Sequence, residues 1–371
     1  MKHIVCFHLF NDYSGSPRIL KTVLEELLSQ GTEIDLLTSK GGILDSLQDK
    51  HLKRHCCRYS FSRHPLVTFC RYTAAQLYSF FFSFRYIFDK DTVFYINTLL
   101  PAAPALAGRI MRKEVVYHYH ENAFIKGRFY KFLAKCMQKL ATKIICVSEY
   151  QASFLEKKKD IHVIPNAVPD SFIKKLHPDA EKAFGRKRIL MAGSLKRYKG
   201  TPEFVQLAEK LPEYSFELVL NDSLHNIEEF WKEHHIGRPE NLTVYPRQGD
   251  VSEFYNRASM VISLTNRELA IETFGLTILE AMWAGLPVIV PTVGGIAEMV
   301  VNSCNGYRID VQHLDKIAAT IAIVLSDKTL YQHLASKALE TAGHYSQSKM
   351  TARITALFQN TDSDIRTGDN F

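Results

Sequence analysis

Two carboxylates, Glu272 and Glu280, stand eight positions apart in the run Glu272-Thr-Phe-Gly-Leu-Thr-Ile-Leu-Glu280, which continues at once as Ala-Met-Trp-Ala-Gly-Leu-Pro-Val-Ile-Val. Apolar residues 260–264 before it and 287–290 after it read as strands, with an apolar helical run between them. Strand, loop, helix and strand in that order form one unit of an α/β sheet. Gly275 falls where the loop becomes the helix. The first N–H groups of a helix have no intrahelical acceptor, and the helix dipole favours an anion there. Glu272 lies on the loop beside that position, and Glu280 lies more than a turn into the helix. A phosphate on the N–H groups would leave one carboxylate near what is attached on each of its sides. Hydroxyl groups are good partners for ionised carboxylates, so the layout suits a nucleoside diphosphate-sugar.

The rest of the chain must position that unit. The first half opens with a strand over residues 4–9 and a loop over 10–16, then a helix over 18–29 started by Pro17 and ended by Gly31. Ile19, Leu20, Val23, Leu24, Leu27 and Leu28 share one face of that helix. A strand over 33–37 completes a β-α-β unit, whose short first loop, with Gly15 inside it, can bring backbone close to a ligand. Further strands are read over 92–97, 115–118, 143–147 and 161–164, with helices over 102–111 and 129–140. Residues 171–187 are polar, contain Pro178, and read as a linker. The pattern then restarts: a strand over 188–192, a loop Gly193-Ser194-Leu195-Lys196-Arg197-Tyr198-Lys199-Gly200, a helix from Thr201-Pro202 through Leu211, and strands over 216–220 and 241–245. Each half is a doubly wound α/β domain by this reading, with a site outside the carboxyl ends of its strands.

E-x-F-G-x-x-x-x-E followed by E-A-M-x-A-G-x-P-V resembles the signature of the retaining glycosyltransferases of family 4, which have the GT-B fold. The resemblance implies an α/β architecture of two doubly wound Rossmann-like domains facing a central cleft. Residues 1–170, with a crossover helix over 346–360, would bind the acceptor, and residues 188–345 the nucleotide-sugar donor. Closure between the two would exclude water. Val163-Ile-Pro-Asn166-Ala-Val-Pro169 resembles the family's segment before the linker, and Ala192-Gly193-Ser194 through Lys199-Gly200 its donor-phosphate loop. The family usually has an arginine directly after that glycine. Here Ser194 takes its place, so Lys199 is the matching cation and Lys196 or Arg197 would have to supply the other charge. A cation is needed because the leaving nucleoside diphosphate gains negative charge as the sugar bond breaks.

The resemblance also implies individual roles. Glu280 would hold the ribose hydroxyls and Glu272 the donor sugar hydroxyls, while the backbone at Phe274, Gly275 and Leu276 holds sugar and phosphate. His120 would face the donor sugar, with Glu121 and Asn122 on the acceptor side. Arg247, after Tyr245-Pro246, is placed near the base. Catalysis is assigned to Glu272, His120 and Lys199. No metal and no cofactor is implied; the nucleotide-sugar is a substrate. The reaction would be a front-face one, in which the leaving phosphate takes the acceptor proton. The acceptor would be a polysaccharide or glycolipid of a bacterial surface.

Bulk properties agree with two domains: 371 residues with 46% hydrophobic content. Seven cysteines form no C-x-x-C pair and are expected for the most part as buried, reduced thiols. The apolar start is too short for a signal peptide, and the tract 66–88 is interrupted by Arg71, Gln76 and Arg85, which makes it a poor spanning helix. The expected location is cytoplasmic, peripheral at the inner membrane face. The net charge of +7 and pI near 8.9 invite a nucleic-acid partner, but no nucleic-acid motif supports one. Lys53, Arg54, Arg58, Arg63, Arg71 and Arg85 are interleaved with aromatics between residues 53 and 85. That interleaving fits an anionic membrane surface, and it equally fits core aromatics under a solvated arginine face. A nucleotide-dependent oxidoreductase would need G-x-G-x-x-G after the first strand, and that loop has one glycine. A non-catalytic nucleotide-sugar-binding protein of the same fold is the other alternative, kept open by Ser194.

Overall fold

The computed structural model describes residues 3–62, 64–124, 127–157 and 159–359. Arg63 lies outside the described residues. Two all-parallel sheets are present. The first holds β1 (His3–His8), β2 (Ile34–Thr38), β3 (Leu52–Cys56), β4 (Thr92–Asn97), β5 (Glu114–Tyr119), β6 (Lys143–Cys146) and β7 (Ile161–Val163), in the order β3-β2-β1-β4-β5-β6-β7. The second holds β8 (Arg188–Gly193), β9 (Ser215–Leu220), β10 (Leu242–Tyr245), β11 (Met260–Ile262), β12 (Val288–Val290) and β13 (Gly306–Arg308), in the order β10-β9-β8-β11-β12-β13. The inner strands are continuous apolar runs: β2 and β4 are buried at every position. Such runs are what a parallel sheet covered by helices on both faces requires.

In each sheet the strand order reverses direction once, between β1 and β4 and between β8 and β11. Loops leaving the carboxyl ends of those two strands diverge to opposite faces, and the gap between them is where α/β folds bind ligands. The helix Gly15–Ser29 buries the six expected apolar residues. Gly15 is its first residue, so it is not inside the preceding loop. Close backbone approach at that loop is made instead by Gly42, where a Cβ would lie 2.4 Å from the backbone of Asn11.

The chain divides into two compact units. The first takes residues up to Val147, Phe154–Ile164 and the chain from Ser348 onward; the second takes Ser148–Ser153 and Pro165–Gln347. The last helix, Gln347–Gln359, packs in the first unit through the Phe358–Tyr95 ring contact at 5.1 Å and a hydrogen bond from Lys143 Nζ to Leu357 O at 2.9 Å. Residues 171–187, expected as a linker, belong to the second unit. They carry most of the helix Asp170–Ile173 and the whole of Ala180–Arg186, bury Leu176 and Ala183, and accept a hydrogen bond from Ser259 Oγ at Ala183 O, 2.6 Å. The segment is polar on one side only, which composition alone does not reveal.

The tract 53–85 matches neither reading in full. Tyr59, Phe82 and Tyr86 are core, whereas Phe61, Phe69 and Phe81 are exposed. Arg54 donates to Asp45 O at 2.7 Å, Arg71 to Ser60 Oγ at 2.9 Å, and Arg85 lies over the Phe82 ring. Of the cysteines, Cys6, Cys57 and Cys146 are buried, but Cys56 and Cys70 are exposed, and among the described residues none forms a disulfide. Among the described residues no helix is long and apolar enough to cross a membrane.

Strands β1, β2 and β3 are tied by a histidine–carboxylate chain. Asp35 accepts from His3 at 2.8 Å and from His55 at 2.5 Å, and His3 also meets Asp89 at 3.0 Å. Hydrogen bonding to Asp35 raises the pKa of His3 against the opposing effect of burial. Burial pushes Asp35 up, but hydrogen bonds from His3, His55 and Tyr86 outweigh it and hold its carboxyl at about 2. The contribution from charged His3 is therefore full below its unfolded pKa and is lost as pH rises through its raised folded value; that of Asp35 is full above its unfolded value and is lost as pH falls toward about 2. Urea unfolding of wild type and His3→Gln should show a deficit for the variant of up to ~1 kcal/mol near pH 6 that shrinks toward zero near pH 9. An equal deficit at both pH values would exclude the ionic contribution.

Candidate active site

Gly193 ends β8, and the loop that follows returns through Gly200, φ 84°, into the helix Thr201–Lys210. A Cβ at Gly200 would sit 2.4 Å from Leu264 Cβ and Leu264 O, so only glycine lets this loop lie on the segment leaving β11. The two loops are also joined by a hydrogen bond from Asn266 N to Tyr198 O, 2.8 Å. The result brings Lys199 Nζ into an ion pair with Glu272 Oε1, which also accepts from Thr265 Oγ1 at 2.9 Å. Burial disfavours the Lys199 ammonium, but the Coulombic attraction and hydrogen bond of Glu272 more than offset it, and its pKa is raised. Both residues, expected in the site from sequence, thus meet at the switch point between β8 and β11.

Gly275, φ 97°, caps the helix Leu276–Trp283 as expected. A Cβ there would strike Ile296 Cγ1 at 2.5 Å. The loop carrying Glu272 is held from below by Gly294 and Gly295, whose Cβ atoms would lie 2.5 Å from Glu272 O and 1.9 Å from Thr273 O; Gly295 N donates to Glu272 O at 2.9 Å. Sequence reasoning passed over this pair, although two glycines just after an apolar run are a legible turn signal. The Phe274 side chain is buried and its ring meets Tyr345 at 5.9 Å, so what it can offer a ligand is backbone. Glu280 is buried and accepts a hydrogen bond from Tyr255 OH at 2.5 Å. Nothing in the spacing pointed to Tyr255, which comes from the helix Ser252–Arg257.

Around this centre the other expected residues differ in what they can do. Arg247 N donates to Asp222 O at 2.9 Å and Arg247 Nε to Asn221 Oδ1 at 2.8 Å, which sets it at the carboxyl ends of β9 and β10. A Cβ at Gly193 would meet nothing within 4 Å, so that backbone is open. Ser194 stands beside it, partly buried. Arg197 does not reach inward: its Nη1 pairs with Glu203 at 2.8 and 2.9 Å. Lys196 is exposed. The charge that Ser194 lacks is thus not supplied by Arg197. Among the described residues no three His, Cys, Asp or Glu side chains are grouped to hold a metal ion.

The first unit has its own polar cluster at the ends of β1, β4 and β5. His120 Nε2 bonds Asn97 Oδ1 at 2.9 Å, and Asn97 Nδ2 bonds His8 Nδ1 at 2.9 Å. With the amide nitrogen as donor, His8 must accept at Nδ1 and His120 must donate from Nε2, which fixes both tautomers. The His118 ring lies 4.1 Å from that of His120, and its Nδ1 bonds Tyr95 OH at 2.7 Å. Burial holds His8 down to about 4 and His118 to about 3. Burial and the neighbouring imidazoles lower His120 well below its ordinary value. Glu121, expected on the acceptor side, accepts from Leu99 N at 3.1 and 3.2 Å. It braces a turn in which Thr98 is left-handed, φ 74°. Asn122 is buried. Asn97 and His8 were not singled out from sequence; an Asn or His closing a strand carries no signal until its neighbours are known.

Residues 172–341 match the family described as "Glycosyl transferases group 1". Residues 13–172 match "Glycosyltransferase Family 4". The chain is 23% identical over 224 residues to N-acetyl-alpha-D-glucosaminyl L-malate synthase of Bacillus anthracis, an alignment covering 58% of this chain and 57% of that protein. The chain thus spans little more than half the length of that curated relative. Among solved structures it is similar to sucrose-phosphate synthase of Thermosynechococcus elongatus, with a TM-score of 0.79, 18% identity, and coverage of 97% and 98% of the two chains. It is also similar to Anabaena HepE in complex with UDP and glucose, with a TM-score of 0.74, 18% identity, and coverage of 97% and 100%. At these identities the likeness is one of fold.

The buried imidazoles yield a direct test. NMR titration of the histidine side chains should find His8, His118 and His120 neutral from pH ~8 down to ~5. Asn97→Leu should release the His120 tautomer and change its ring nitrogen shifts with the fold retained. A protonated His120 at pH ~6 would overturn the assignment.

Proposed function

The chain belongs to the glycosyl transferases of group 1 and family 4, and we propose that it moves a sugar from a nucleoside diphosphate-sugar to an acceptor hydroxyl with retention of anomeric configuration. Its fold is that of the GT-B glycosyltransferases. The observation that carries the proposal is the meeting of Lys199 and Glu272 beside the open end of the helix Leu276–Trp283, with Glu280 buried one turn inside. The helix N–H groups and Lys199 would take the diphosphate. Glu280 would accept from the ribose hydroxyls, and Glu272 from hydroxyls of the donor sugar. Arg247 would lie toward the base. Gly193 and Ser194 would leave room for phosphate.

The bond between the anomeric carbon and the phosphate oxygen breaks, and its electron pair leaves with the nucleoside diphosphate. The acceptor oxygen attacks the same face of the sugar, and its proton passes to the departing phosphate oxygen. Lys199 and the helix end stabilise the charge that develops there, so we propose no metal requirement. His120, held neutral and in one tautomer, suits a hydrogen bond to a sugar hydroxyl. Glu121 and Asn122 would support the acceptor side. Gly15, as a helix start, is a lesser candidate. We propose a polysaccharide or lipid-linked acceptor at an anionic membrane surface on the cytoplasmic side, and no nucleic-acid partner. A second reading, a nucleotide-sugar-binding protein without turnover, is favoured by Ser194 and by the commitment of Arg197 to Glu203.

A thermal-shift screen of UDP-, GDP-, ADP- and dTDP-sugars tests the binding, because a ligand that binds only the folded state raises its stability. UDP-glucose is the first donor to try, given the ligand of HepE. Glu280→Gln should weaken the free nucleoside diphosphate by ~1–3 kcal/mol in calorimetry. Glu272→Gln should spare that binding and lower transfer. Chelator treatment should leave turnover intact; loss restored by magnesium or manganese would refute metal independence. Donor binding with neither hydrolysis nor transfer would decide for the second reading.

A further inference from the structure

The glycine turn beneath the Glu272 loop rests on a further segment. Ser148–Ser153 lies between β6 and β7 in chain order but packs in the second unit. It carries the short helix Glu149–Ala152, which packs against the helix Gly295–Glu298. A Cβ at Gly295 would meet both Thr273 O, at 1.9 Å, and Ser148 Oγ, at 2.6 Å. The Glu272 loop, the glycine turn and Ser148 are thus stacked in contact.

Glu298 closes that stack. Glu149 N donates to its Oε2 at 3.1 Å and Tyr150 N to its Oε1 at 2.5 Å, while Gln151 N donates to Ser148 Oγ at 3.2 Å. The first N–H groups of a helix have no intrahelical acceptor, and here three of them are met by side chains. A helix of four residues does not hold itself, so its place depends on these bonds. Burial raises the pKa of Glu298 against the opposing hydrogen bonds from Tyr150 and Glu149. Its charge is also felt at Tyr345, where burial first and Glu298 second raise the phenol, and the Tyr345 ring meets Phe274. Glu298 therefore reaches the Glu272 loop by two routes, through Gly295 and through Tyr345 and Phe274. We propose that Glu298 is a positioning residue for sugar transfer: by binding the Glu149 and Tyr150 N–H groups it locks the Gly294–Gly295 turn, and through that turn it aims the Glu272 carboxylate. The proposal rests on the transferase reading. It concerns the aim of Glu272 and leaves the hold on the diphosphate to Lys199 and the start of the helix Leu276–Trp283.

The test is amide hydrogen exchange on the ligand-free full chain, paired with hydrolysis of UDP-glucose. Glu298→Gln keeps the shape, removes the charge and turns an amide NH2 toward one of the two N–H groups. It should speed exchange of the Gly295 amide about ten-fold and lower kcat about ten-fold, with UDP affinity in calorimetry within about two-fold of wild type. Glu298→Asp should recover part of both losses. Glu149→Pro deletes one donor where proline suits a helix start, and should move both readouts the same way by less. Asp179 caps the helix Ala180–Arg186 through Lys182 N, and Asp179→Ala, the loss of a cap elsewhere in the same unit, should match wild type in both. Faster exchange confined to residues 149–151, with Gly295 and turnover unchanged, would reduce Glu298 to a helix cap and overturn the proposal. UDP affinity and thermal stability falling in step with turnover would overturn it as well, as general loosening. A wild type that binds no nucleotide-sugar would sink the transferase reading instead, and the exchange data, which need no ligand, still decide the lock on the turn.

Discussion

The close approach of backbones around Glu272 is the constraint on which the candidate site depends. Four glycines, at 200, 275, 294 and 295, stand where any Cβ would overlap a neighbouring chain segment by an ångström or more. Three of them also have φ between 84° and 104°. Together they let the loops leaving β8, β11 and β12 lie on one another with no side chains between. A loop held by backbone contact has little freedom, and the Gly295 N–H to Glu272 carbonyl bond fixes it further. The carboxylate of Glu272 is therefore aimed by packing, and Thr265 and Lys199 complete the aim.

Electrostatics follow from that placement. A lysine and a glutamate this close, each about a quarter exposed, would both be unfavourable alone. Paired, they are tolerated in a site that on our reading must later admit two phosphates. On our reading an incoming diphosphate would compete with Glu272 for Lys199, and the N–H groups at the start of the helix Leu276–Trp283 would add further donors for the anion. With Ser194 where the resemblance leads one to expect arginine, and Arg197 held by Glu203, those backbone donors would on our reading carry more of the load.

Much of this was legible from the sequence, and the reasons are specific. The strand–loop–helix–strand unit around Glu272 and Glu280 could be read because apolar runs of strand length alternate with a helical one, and Gly275 marks the join. The other strands could be read in the same way, except β3, an edge strand whose residues are mostly exposed, and the three-residue β13, neither of which presents an apolar run. The linker could not: residues 171–187 are polar in composition, and only the structure shows Ala183 and Leu176 turned inward. Tyr255, Asn97 and His8 were equally hidden. Each acts through a partner on another element, 25, 23 and 89 residues away in their hydrogen bonds, and nothing in one chain's spacing encodes such pairs.

The two switch points differ in a way that bears on division of labour. At β8 and β11 the polar groups are ionic, and a helix end adds N–H donors. At β1, β4 and β5 they are neutral: three imidazoles whose protonation burial suppresses, bridged by an amide and a phenol. A neutral imidazole locked in one tautomer can donate or accept at a chosen atom without drawing an anion toward itself. On our reading such a surface would discriminate hydroxyls by direction, and the charged one phosphate by charge. A positive imidazole in the first unit would attract phosphate there as well, and the neighbouring His118 and His8 together with burial disfavour that charge on His120.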